Sequence, residues 1–90
     1  MSKQSRYTVR IKRSAEKEMD RLPVQVFRRV TKAILSLEHN PRPAGCKKLR
    51  GAEDYRLRVG PYRILYAIDD RKRVIEVIAV GHRREVYHGI

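Results

Sequence analysis

Cys46 is the one thiol in this chain, so an internal disulfide and a cysteine-built zinc site are both excluded. No apolar run comes near the roughly 20 residues needed to cross a bilayer, which leaves a membrane without a partner here. The opening residues, Met1 to Arg6, lead straight into a strand-like segment and lack the apolar core of a signal peptide; a cytoplasmic protein is expected. Acidic residues are scarce. Ten Asp and Glu stand against 22 Lys and Arg, a formal charge of +12 in 90 residues. That imbalance calls for a polyanionic partner such as nucleic acid. Hydrophobic residues make up 41% of the chain, enough for one packed layer and too many for global disorder. Residues 1–90 therefore read as a single domain with a modest core.

Tyr7-Thr8-Val9-Arg10-Ile11 alternates as a strand does. Ser14 is a candidate N-cap, and Glu16 and Glu18 then suit the positive end of a short helix. That helix stops near Leu22, because Pro23 disfavours helical geometry in the residue before it. Pro23 itself suits the first turn of a second helix. There Val26, Val30, Ala33, Ile34 and Leu37 form one apolar stripe, with Arg28, Arg29 and Lys32 off it. Asn40-Pro41 ends this helix. Two helices joined so tightly predict an αα-hairpin laid across a sheet.

Residues 41–54 hold Pro, Gly and four basic side chains and read as a basic loop or edge segment. Three strands follow, near 55–59, 62–68 and 73–80, with turn signals at Gly60-Pro61 and Asp69-Asp70-Arg71. Consecutive hairpins make this part antiparallel. A two-residue turn at Gly60-Pro61 sets Val59 opposite Tyr62, Arg58 opposite Arg63 and Leu57 opposite Ile64. Arg56 then shares a face with Arg58 and Arg63, while Tyr62 and Tyr66 face the helices. Like charges directly opposite each other destabilise a sheet. A guanidinium cluster held on a rigid sheet suits phosphate; a solvated face whose arginine stems cover apolar surface is the plainer alternative. Cys46 has no His or Asn near it in sequence and reads as an incidental thiol rather than a nucleophile.

Lys48-Leu49-Arg50-Gly51, the run from Tyr55 to Tyr66, and Val80-Gly81-His82-Arg83-Arg84-Glu85-Val86-Tyr87 give the chain a family resemblance. It resembles the RelE/ParE superfamily of bacterial and archaeal toxins, and within it the RelE-like ribosome-dependent mRNA endonucleases, over nearly its whole length. The resemblance implies an α+β fold: an N-terminal strand, then an αα-hairpin packed on an antiparallel sheet of about four strands. It also implies RNA cleavage without metal or cofactor, in which a ribose 2′-OH attacks the adjacent phosphorus. Arg56 and Arg58 fall at the two alternating basic positions of the hairpin, which are lysines in well-known RelE members. Arg stays charged and so suits phosphate binding better than proton abstraction. Arg63 matches the arginine that stabilises the phosphorane, Arg83 the one that orients the phosphate or assists the leaving group, and Tyr87 the tyrosine that stacks on a base or hydrogen-bonds near the 2′-OH.

His82 is a further catalytic candidate, since imidazole exchanges protons near neutral pH; on an extended chain it points away from its neighbour Arg83, and a structural role is the alternative. Lys47, Lys48, Arg50 and Arg84 are candidates for gripping RNA phosphates, or else a solvated basic surface. The resemblance implies a ribosome and its mRNA as targets. It also implies a cognate RelB-like antitoxin forming a heterotetramer, with operator DNA bound only through that complex. Two other outcomes stay open: a ParE-like gyrase inhibitor without nuclease activity, and an inactive member that only binds its antitoxin and co-represses.

Overall fold

The computed structural model describes residues 6–49 and 54–82. Among them, β1 (Thr8–Ile11) leads into α1 (Arg13–Asp20) and α2 (Val24–Ser36). Then come β2 (Lys47–Lys48), β3 (Asp54–Val59), β4 (Tyr62–Asp69) and β5 (Val74–His82). The strands make one sheet in the order β1-β5-β4-β3-β2, and both helices pack on the same face of it. The α+β fold holds, with two differences from the expected sheet. It has five strands, because Lys47-Lys48 pairs with β3, and β1 runs parallel to β5, with Val9 opposite Ile75. Alternation of apolar residues marks a strand but carries no information about its direction.

The helix boundaries show how the sheet shapes its neighbours. Ser14 is not the N-cap of α1; Lys12 is, without a side-chain hydrogen bond. The Lys12 N–H donates to the Val77 carbonyl at 3.0 Å, and the Lys12 carbonyl accepts from the Glu16 N–H at 2.9 Å. One residue therefore ends the parallel ladder and starts the helix, and no side-chain cap is needed. Pro23 sits at the N-cap of α2 rather than inside its first turn, its carbonyl accepting from the Phe27 N–H at 2.8 Å. The second helix ends at Ser36, before Asn40. Beyond it the N–H groups of Leu37, Glu38 and His39 each donate three residues back, a tightening typical of helix ends.

Val30, Ile34 and Leu37 of the α2 side meet Tyr55, Leu57, Ile64, Tyr66, Ile68, Ile75, Val77 and Val80 of the sheet, with Ala15 and Met19 of α1 closing the layer. Val26 and Ala33 pack at its margin, as the apolar stripe predicts. Between β4 and β5 the register shifts: Leu65 faces Ala79 and Tyr66 faces Val77, so Ile78 is the extra residue of a β-bulge. The bulge resets alternation in β5. Val77 and Val80 both reach the core, and Gly81 comes to lie opposite Arg63.

Ile34 and Leu35 are sequence neighbours at 2% and 54% exposure. Ile34→Ala should cost about 2–5 kcal/mol in urea unfolding and Leu35→Ala within about 0.5 kcal/mol of nothing. Equal losses would mean the helix is rotated from this packing.

Candidate functional site

Gly60 has φ +60°, a left-handed conformation that glycine adopts without strain. It allows the two-residue turn that pairs Val59 with Tyr62, Arg58 with Arg63 and Leu57 with Ile64, the register expected from the sequence. Directly paired residues share a sheet face. Leu57, Ile64, Tyr55 and Tyr66 belong to the core, so Arg56, Arg58 and Arg63 stand together on the face opposite the helices. Lys47 joins them there, opposite Arg56. Tyr66 is fully buried and stacks on Tyr55 with ring centroids 5.9 Å apart. Tyr62 also lies on the helix side but is only half-buried, at the end of the sheet.

This outer face is sorted by charge. Asp54, Ala67, Glu76 and Arg10 form one row across β3, β4, β5 and β1. The next row carries Lys47, Arg56, Leu65 and Ala79, and the next Arg58, Arg63 and Gly81. Carboxylates thus lie at the row that reaches β1, and the cationic cluster fills the two rows toward the Gly60 turn. Arg63 is the buried member, 9% exposed, while Arg58 is exposed and Arg56 intermediate. Gly81 beside Arg63 has no side chain to cover the guanidinium. Guanidinium groups clustered in this way have the chemistry to take an anion that carries several oxygens.

His82 is opposite Tyr62, on the helix side by register, and meets that ring edge-on at 5.7 Å. It also lines a cleft of about 210 Å³ with Arg58, Gly60, Pro61 and Arg63. The imidazole is therefore at the rim between the two faces rather than turned wholly from the arginines. A larger cleft, about 460 Å³, opens on its other side against α1 and mixes Glu18 with Arg21. Glu18 is engaged there, accepting from the Val80 N–H at 2.8 Å. The size of that cleft does not make it an anion site. Lys48 lies opposite Tyr55, on the face away from the arginines. Arg50, Arg83, Arg84 and Tyr87 lie outside the described residues. Among the described residues no group of three or more His, Cys, Asp or Glu is placed to hold a metal ion.

Two features of the site region escape a linear reading. The first is Arg29 of α2, whose Nη2 and Nη1 lie 3.7 and 3.8 Å from where a Cβ would stand on Gly60. Its place off the apolar stripe was visible in the sequence, but its approach to the hairpin turn was not. The second is a polar network that anchors the loop delivering β2. Arg42 donates to both carboxylate oxygens of Asp70, at 2.9 and 3.3 Å, and through Nε to the Tyr55 hydroxyl at 3.0 Å. Tyr7 donates to Asp70 at 2.6 Å, and Tyr66 to the Pro41 carbonyl at 2.8 Å. Burial, first of all, pushes the Tyr66 hydroxyl well up from its ordinary value. Hydrogen bonds from Arg42 and then Tyr7 hold the Asp70 carboxyl below the ordinary range.

The chain is similar in sequence and in structure to toxins of type II toxin-antitoxin systems. The profile of the ParE toxin of type II toxin-antitoxin system, parDE, matches residues 9–87. Toxin RelG of Mycobacterium tuberculosis is 34% identical over 84 residues, 90% of this chain and 95% of that protein. The toxin–antitoxin complex RelBE2 of M. tuberculosis contains a chain superposing with TM-score 0.77 at 32% identity, covering 87% of this chain and 99% of that one. A chain of the archaeal RelE–RelB complex from Pyrococcus horikoshii OT3 gives TM-score 0.79 at 28% identity, covering 94% and 99%.

Asp70 tests the anchoring network. Its folded value lies below its unfolded one, so its contribution to stability is present above the ordinary carboxylate range and is lost as pH falls through the depressed folded value. In Arg42→Ala the Asp70 titration followed by NMR should move up toward the ordinary value of about 3.9. No movement would mean that Arg42 does not set it.

Proposed function

Because the chain belongs to the RelE/ParE superfamily of type II toxins, we propose that it is a ribosome-dependent endoribonuclease that cuts mRNA in the ribosomal A site. The observation that carries this reading is the direct cross-strand pairing of Arg58 with a buried Arg63, flanked on the same face by Arg56 and Lys47. Like charges directly opposite each other destabilise a sheet, and an anion bound between guanidinium groups offsets that repulsion. A scissile phosphate, gaining charge as it becomes pentavalent, is an anion of that kind.

In the proposed reaction the 2′-oxygen bonds to phosphorus, and its proton passes to a base. The bond from phosphorus to the 5′-oxygen breaks, and that oxygen takes up a proton. Arg63 neutralises the phosphorane, and Arg56 and Arg58 hold its oxygens, since none of the three gives up its own proton. Among the described residues His82, on the rim of the Arg58–Arg63 cleft, is a candidate for that proton transfer. Arg83 and Tyr87 carry over from the family motif as the group that assists the leaving oxygen and the ring that stacks on a base. Lys47, on the arginine face, extends the grip to neighbouring RNA phosphates, and Arg50 and Arg84 carry over from the sequence as further contacts; Lys48, on the opposite face, is not part of that surface.

An acidic RelB-like antitoxin is the proposed regulatory partner; the archaeal RelE chain that this one resembles is in complex with RelB. The two form a heterotetramer, and operator DNA is reached only through it. A second reading has its own support: the matching profile is that of ParE toxins. A ParE-like gyrase inhibitor would produce gyrase-dependent DNA breaks and leave mRNA intact.

Primer extension on mRNA carried by programmed ribosomes separates the two. Wild-type protein should cut within A-site codons only when ribosomes are present. Arg63→Ala should lower the single-turnover rate by about 100-fold or more. Intact mRNA with folded wild-type protein would sink the nuclease reading.

A further inference from the structure

The cationic surface does not stop at the sheet. Gly60 and Pro61 line the Arg58–Arg63 cleft from the turn side, and Arg29 reaches that same turn from the helical layer. Its guanidinium comes within ordinary contact distance of the place a Gly60 side chain would occupy. Arg29 is exposed, and among the described residues it makes no ion pair; the Arg42–Asp70 bridge engages a different arginine. Arg28 and Lys32 are exposed beside it on α2. Gly60 places the turn between the two arginine groups. It permits the turn that pairs Arg58 with Arg63, and the turn it forms lies in contact range of a helix arginine at the mouth of their cleft.

We propose that Arg29 is a positioning residue that grips the phosphate next to the scissile one on the same RNA strand. This rests on the RNA reading of the arginine face. A strand whose scissile phosphate sits at Arg63 meets the Gly60-Pro61 turn as it leaves the cleft, and Arg29 is the cation waiting there. The carboxylates Asp54 and Glu76 lie in the row farther from the turn, where Arg10 is the one cation, and make that direction the less favourable one for a phosphate backbone. The RNA therefore passes over the turn toward α2. A planar guanidinium held against backbone takes a phosphate in two-point fashion, and its contact carries no sequence information.

The test uses the whole chain and a single-stranded RNA blocked against cleavage by 2′-O-methylation, with affinity measured across a salt series. Arg29→Ala should weaken binding several-fold and lower the slope of log affinity against log salt by about 0.7, the value for one lost phosphate contact on a single strand. Arg29→Lys should keep that slope, which a merely structural role would not predict. An Arg29→Ala protein with wild-type slope and affinity, alongside an Arg63→Ala protein that loses both, overturns the assignment and leaves the RNA reading standing. If Arg63→Ala also binds like wild type, the RNA reading itself has failed and the Arg29 proposal falls with it. Thermal unfolding of each variant at the wild-type midpoint establishes that the folds are equivalent.

Discussion

A two-residue turn decides which way every side chain of the central hairpin points. With Gly60 at φ +60°, β3 and β4 are joined by the shortest hairpin connection, and Arg58 must face Arg63. Because side chains alternate with a period of two, a slip of one residue would exchange the faces. Leu57, Ile64 and Tyr66 would turn to solvent, and the arginines would enter the core beneath the helices. Core burial and cation clustering are therefore one constraint seen from two sides of the same sheet. Stability of the helix face holds in place an arginine face that electrostatics alone would push apart.

Arg63 is the buried member of that face, directly opposite Arg58. The bulge at Ile78 adds to this arrangement: it brings Val80 into the core and Gly81, the residue with no bulk, alongside Arg63. Charge sorting then gives the face a direction. Asp54 and Glu76 sit in the row reaching β1, and the cations sit toward the turn.

Much of this was legible in the chain because it depends on local rules. The α2 stripe of Val30, Ile34 and Leu37 follows from helical period, and the Arg58–Arg63 pairing follows from a Gly-Pro turn between alternating strands. What the sequence did not disclose depends on contacts between distant segments. The parallel pairing of β1 with β5 joins Val9 to Ile75, and no local pattern encodes it. Lys47-Lys48 has weak strand propensity and becomes a strand only because β3 offers it an edge. Ser14 looked like a cap, yet the sheet's own Val77 carbonyl fixed Lys12 in that role. Arg29 and Arg42 read as surface charge, and only the folded chain brings one to Gly60 and the other to Asp70.

The central claim is that the outer-face arginines bind RNA phosphate as a unit. Its most direct test is an NMR titration that follows the arginine Nε–Hε signals as an uncleavable 2′-O-methyl RNA is added. Arg56, Arg58 and Arg63 should shift together, saturably and in a salt-sensitive manner, while Arg10, beside Glu76 on the same face, should stay in place. Shifts spread evenly over all arginines, or absent from Arg58 and Arg63, would contradict it.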